Sequence, residues 1–172
     1  MKITALEEYG LRCMVRLAKA GPGRALSLTE IGGAEGLSIP YSGKLLAMLR
    51  EAGLVVAERG RNGGYTLAMP ASQIRLKRIF DALGEPIFSA NHCERYQTSG
   101  NEEGNCVHHE DCSVRDVWSS FQKMIGEFLQ RVTLEDLARR KPGSRLDLFE
   151  LAGYGREGGE SGKLNPAESV QA

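Results

Sequence analysis

The sequence predicts a mainly α-helical chain with one two-stranded hairpin and a long helix near its C-terminal end. Three observations lead there. Apolar residues recur at i, i+3, i+4 and i+7 in successive stretches, each closed by glycine or proline. A single pair of short β-prone runs flanks a glycine-rich tip, Arg59-Gly60-Arg61-Asn62-Gly63. After Cys112, Val114, Val117, Trp118, Phe121, Met124, Ile125, Phe128, Leu129 and Val132 mark one helical face for about five turns.

In chain order, the first helix spans Leu6 to Ala20, with Leu6, Leu11, Met14, Val15 and Ala18 as its stripe. Gly21-Pro22-Gly23 stops it. Ser27 caps a short second helix, Leu28 to Glu35, which Gly36 ends, and Leu37 is expected as a buried turn residue. The third helix starts after Ser38, with Pro40 in its first turn, and continues through Tyr41, Leu45, Leu46, Leu49 and Ala52 to Gly53. Two helices joined by a short glycine-containing turn form a helix-turn-helix pattern.

Leu54 to Glu58 and Gly64 to Ala68 are strands, and the arginine-bearing tip between them makes the hairpin a wing. Such a tip can reach phosphates or a minor groove. Pro70 breaks the hairpin, and Ile74 to Leu83 forms another amphipathic helix, ended by Gly84-Glu85-Pro86. The expected architecture is therefore a winged helix-turn-helix domain over residues 1–84.

A polar loop over residues 85–112 follows. It holds Cys93, Cys106 and Cys112, and all three histidines of the chain, His92, His108 and His109. Thiols and imidazoles gathered in a loop point to a metal centre. Residues 113–141 are expected as a dimerisation helix and a short helix, Leu134 to Arg140, capped by Thr133. The long helix has no other large partner in so short a chain, so a second copy is its expected partner, with some packing on the first helix. Residues 142–172 are expected as a polar, disordered tail.

Composition supports this assignment. The chain has 172 residues and no net charge, yet residues 1–80 carry +6 and residues 81–172 carry −6. The basic half can meet a polyanion and the acidic half cannot. In the basic half, Tyr41, Lys44 and Arg50 in or beside the third helix and Arg59 and Arg61 in the wing are the candidate DNA contacts. No apolar run approaches the ~20 residues of a membrane span. The first residues carry acids where a signal peptide would be apolar, so a cytoplasmic location is expected. In reduced cytosol, clustered cysteines serve as metal ligands or sensors rather than disulfides.

These features together resemble the IscR/NsrR-type family of bacterial winged-helix regulators over residues 1–141. The resemblance is carried by Tyr9 and Leu11-Arg12, by Pro40-Tyr41, Lys44-Leu45-Leu46 and Leu49-Arg50, and by Ala52-Gly53-Leu54-Val55. Arg59-Gly60, Gly63-Gly64-Tyr65 and Leu67 belong to it, as do Cys112-Ser113-Val114-Arg115, Trp118, Thr133-Leu134 and Asp136-Leu137. The resemblance implies a homodimer on a partly palindromic DNA operator, controlled by an iron–sulfur cluster held by Cys93, Cys106 and Cys112. The [2Fe–2S] form is preferred over [4Fe–4S]. The spacing here is C-x12-C-x5-C, with a longer first gap than in the better-known members, so cluster type and signal do not carry over. Gly43 stands where some members place a larger base-reading residue, so the operator sequence does not carry over either.

Four ligands complete the commonest clusters, which leaves one vacancy beside three thiolates. Glu8, His92, His108 and His109 are candidates, with a solvent or small-molecule ligand as a further option. Glu8 corresponds to an acidic ligand of some family members. Cys13 reads as a buried small hydrophobe rather than a ligand. Trp118 reads as core, and Glu110 and Asp111 as a solvated loop. Two other regulators fit the same residues: a zinc-binding one with a Cys3His site, and a metal-free thiol redox sensor. A metalloenzyme lacks a carboxylate–histidine constellation and has no use for a wing, so no enzymatic activity is expected.

Overall fold

The computed structural model describes residues 3–60, 63–84, 108, 111–140, 147–148 and 152–153. Its elements run α1 (Ala5–Ala20), α2 (Leu28–Glu35), α3 (Ile39–Glu51), β1 (Val55–Glu58), β2 (Gly64–Leu67), α4 (Leu76–Leu83), α5 (Ser113–Arg131) and α6 (Leu134–Ala138), with a 3-10 turn over Ala71–Gln73. The helix starts are set by side-chain caps. Thr4, Ser27 and Thr133 each accept from the backbone N–H three residues on, and Glu7, Glu30 and Asp136 reach back to complete capping boxes. The N–H and hydroxyl of Ser27 both donate to Glu30, which holds its carboxyl below the usual range. Gly36 ends α2 in the left-handed region, at φ 68° and ψ 32°.

Around α1 the core is assembled from several helices. Cys13, Met14 and Leu17 meet Ile31 of α2, Leu45, Leu46 and Leu49 of α3, and Ile79 and Leu83 of α4, all buried. Truncating one of these leucines to alanine costs on the order of 2–5 kcal/mol. Gly10 lies where α1 crosses α4, and a Cβ there would strike the Leu83 side chain. Arg16 Nε donates to Glu35 Oε1 at 2.9 Å and ties α1 to the end of α2. Leu37, expected as buried, is half-buried.

β1 and β2 pair antiparallel, with Val55 opposite Leu67 and Glu58 opposite Gly64. Leu26 extends the ladder through a bridge to Tyr65, exchanging N–H···O bonds of 3.0 and 2.8 Å. That bridge explains the glycine at position 64: a Cβ there would strike the Leu26 carbonyl. The wing is thereby seated against the start of the helix-turn-helix. Arg61 and Asn62 of its tip lie outside the described residues.

Two expected helices are shorter than their periodicity suggests, for one reason. Ile74-Arg75 and Val132-Thr133 are extended and face each other in an antiparallel bridge, with Leu76 N–H donating to Val132 O at 3.0 Å and Leu134 N–H to Ile74 O at 2.8 Å. This clamp starts α4 at Leu76 and ends α5 at Arg131. The apolar side chains of Ile74, Val132 and Leu134 are buried in it.

α5 packs chiefly on α4, and α6 packs on the first helix. Phe128 and Leu129 pack against the core. The N-terminal half of α5 leaves Val114, Val117, Phe121 and Met124 exposed. Trp118, expected in the core, is 43% exposed on the same stretch, because the body does not extend that far along α5. Within the expected tail, Ala152 is buried and its carbonyl accepts from Arg131 Nη1 at 3.1 Å, while Leu148 packs against the core. These residues belong to the body.

Candidate nucleic-acid interface and metal centre

The candidate interface is built from α3 and the wing. Ser38 caps α3, its hydroxyl accepting from Tyr41 N–H at 3.4 Å, and Pro40 fixes the first turn. Leu45, Leu46 and Leu49 anchor the inner face. Lys44 points outward and is exposed, one turn beyond Tyr41 on a neighbouring side of the helix. Arg50 is also exposed but stands at the far end of α3, on another side. Arg59 is exposed at the end of β1. Tyr41 is half-buried, and its ring meets Tyr9 of α1 edge-on, with centroids 6.1 Å apart and planes at 86°.

The metal-centre residues divide differently. Cys93, Cys106, His92, His109 and Glu110 lie outside the described residues. Cys112 is half-buried and is the N-cap of α5, its sulfur accepting from Arg115 N–H at 3.4 Å. His108 and Asp111 are exposed. Glu8 stands half-exposed in the first turn of α1 and pairs with Arg12, Oε1 to Nε, at 2.9 Å. Among the described residues no three His, Cys, Asp or Glu side chains gather to hold a metal. Cys13 is fully buried, and desolvation, then the charge of Glu35, raises its thiol from 9.0 to about 11. That is the behaviour of a core residue.

Arg12 and Tyr9 received no individual role from sequence. Arg12 lies 5.5 Å over the Tyr9 ring while pairing with Glu8. The signal was present in the spacing, since residues three and four apart on a helix face each other.

A helix-turn-helix with a seated wing, outward cations on its second helix and an apolar helical arm define a winged-helix DNA-binding regulator. The family model described as Rrf2, iron-dependent transcriptional regulator, matches residues 3–140. The chain belongs to the Rrf2 family of transcriptional regulators. It is 30% identical over 139 residues to protein rrf2 of Nitratidesulfovibrio vulgaris, covering 81% of this chain and 88% of that one. Among solved structures it resembles CymR (YrzC), the global cysteine regulator of B. subtilis, at TM-score 0.64 and 32% identity, covering 80% of this chain and 96% of that one. IscR of T. potens is similar at TM-score 0.62 and 31% identity, covering 83% and 94%. These relatives are regulators, not enzymes. Among the described residues, no helix is long and apolar enough to cross a membrane.

Proposed function

We propose that this chain is a cytoplasmic homodimeric regulator whose hold on a partly palindromic operator follows the state of an iron–sulfur cluster. The observation that carries the reading is the position of Cys112. A thiol supplied by the loop is also the N-cap of α5, the helix with the exposed apolar face. A ligand there connects cluster state to the element that would join two copies. The likeness to IscR and the iron-dependent description of the family support the same reading.

Cys93, Cys106 and Cys112 would hold the cluster, with Glu8, His108 or His109 as the fourth ligand. Soft thiolates fit iron, and a carboxylate or imidazole completes a [2Fe–2S] or [4Fe–4S] centre. When bound, the cluster supplies a reversible change of charge and a reactive metal–sulfur core. The chain's own part is to anchor α5 at Cys112 and to present Tyr41, Lys44, Arg50, Arg59 and Arg61 to DNA. Residues 1–84 would be the reader, residues 85–112 the sensor loop and residues 113–141 the dimerisation segment.

Anaerobic purification tests the proposal. The wild type is expected to be coloured, to contain iron and sulfide, and to lose colour in Cys93→Ser, Cys106→Ser and Cys112→Ser. A colourless protein with stoichiometric zinc would replace the cluster with a Cys3His zinc site. A colourless, metal-free protein whose DNA affinity follows thiol oxidation would make it a thiol sensor.

A further inference from the structure

The outward side of α3 is poor in groups that could hydrogen-bond a base. In its first two turns Ser42, Leu45 and Leu46 are buried, and the half-buried Tyr41 ring meets Tyr9. The outward positions are Ile39, Pro40, Gly43 and Lys44. Among these, Lys44 alone has a hydrogen-bonding side chain, and its charge suits a phosphate. The Ser38 hydroxyl is spent on the cap, accepting from Tyr41 N–H. A lone exposed isoleucine is ordinary on a protein surface. Ile39, however, is 51% exposed beside a position that has no side chain, since residues four apart are neighbours on a helix. Gly43 stands mid-helix, where glycine weakens a helix relative to alanine. The fold does not require it. A Cβ there would have Leu28 Cδ1 as its nearest neighbour at 3.9 Å, an ordinary contact. Gly32 of α2 shows the contrast, because its Cβ would fall 2.9 Å from the Leu37 carbonyl oxygen. The bare backbone at Gly43 thus leaves a shallow notch beside Ile39.

We propose that Ile39 is a specificity-determining residue that reads the C5-methyl group of a thymine in each half-site, with Gly43 letting α3 approach the base edge. This rests on the reading of the chain as an operator-binding regulator. In a helix-turn-helix the first residues of the second helix are those that reach base edges in the major groove. The thymine methyl is the apolar group displayed there, and it marks one base among the four. The Ile39 side chain has neither donor nor acceptor, so the methyl is the group it can recognise. Glycine permits a close approach of backbone to a partner, and any side chain at position 43 would hold α3 away by its own width. Lys44, little more than a turn from Ile39, and the +6 charge of residues 1–80 favour a polyanion as the occupant of this face. The attraction to DNA is then general and ionic, while the choice of sequence by α3 is apolar.

Uracil in place of thymine removes the methyl group and nothing else. A duplex is first selected by the full-length protein from a random-sequence pool, and each thymine of a half-site is then replaced singly by deoxyuridine. One replacement is expected to weaken wild-type binding about fourfold, the scale of one buried methyl-sized group. In Ile39→Ala the same replacement should have no effect, the signature of direct contact in a protein–DNA double-mutant cycle. Gly43→Ala should melt a few degrees higher than the wild type, since alanine is the better helix former. It should nonetheless bind the selected duplex more weakly while holding a random duplex equally well. A selected duplex whose thymines all tolerate uracil, or equal losses in the wild type and Ile39→Ala, would overturn the readout. So would a Gly43→Ala variant that binds the selected duplex as the wild type does. A pool in which no sequence is enriched overturns the operator reading and the readout with it, whereas an enriched sequence with tolerant thymines overturns the readout alone.

Discussion

Arg75 and Thr133 face each other in an antiparallel bridge that joins the entrance of α4 to the exit of α5. Thr133 also caps α6, its hydroxyl accepting from Asp136 N–H and donating to Asp136 Oδ2. One residue thus secures both the clamp between reader and arm and the helix that returns to α1. Thr133→Ala should lower stability by about 1 kcal/mol, the usual cost of a lost N-cap. The melting temperature should fall by roughly 2–4 °C. Calorimetry of Thr133→Ala beside Thr133→Ser, which retains the cap, checks this.

The exposed half of α5 predicts self-association. Phe128 packs against the core, so replacing it would confuse unfolding with dissociation. Trp118 and Phe121 are 43% and 46% exposed and avoid that difficulty. Their joint replacement by lysine should yield a folded monomer, seen by sedimentation velocity at micromolar concentration with an unchanged helical spectrum. A wild type already monomeric would refute the assignment of this face.

Lys44 and Arg59 carry a prediction about salt. Each cation that neutralises a phosphate contributes about 0.9 to the slope of log affinity against log salt. Lys44→Ala and Arg59→Ala should each flatten the slope by about one unit and weaken binding across sequences alike. If titration from low to high salt gives an unchanged slope in a folded variant, that side chain does not touch DNA.

Cys13 should be silent chemically and visible in alkali. Its folded value of about 11 lies above 9.0, so the fold favours the neutral thiol. Its contribution is whole below pH 9.0 and disappears as pH rises through about 11. Denaturation of the wild type should show this alkaline loss, and Cys13→Ala should lack it. In the native metal-free protein, iodoacetamide near pH 8 should leave Cys13 unmodified by mass spectrometry, because a buried protonated thiol is a poor nucleophile.

Much of the reader was legible because its signals are local. Ser27 and Ser38 were recognisable caps, and Gly36 and Gly53 were recognisable stops. The clamp was not legible. Ile74 and Val132 continue helical periodicities on either side, and only their pairing across distant segments makes them extended. Trp118 was misplaced because periodicity identifies an apolar face without saying what covers it. Leu148 and Ala152 were missed since two small contacts do not show in a polar, glycine-rich stretch. At the candidate site, residue types were readable. The contacts of Arg12 with Tyr9 and of Tyr9 with Tyr41 needed coordinates.

Cys112 gives a single sulfur two obligations. It accepts from the Arg115 amide in the first turn of α5, and in the proposed centre it would also bind iron. Destruction of the cluster by oxidation would alter or withdraw that acceptor and leave the leading turn of α5 to fray. Val114 and Val117 stand in that turn and the next, at the exposed apolar rim. Oxidative damage would thus be felt first as softening at the edge of a subunit seam, and the strength of pairing between copies would become a gauge of cofactor health.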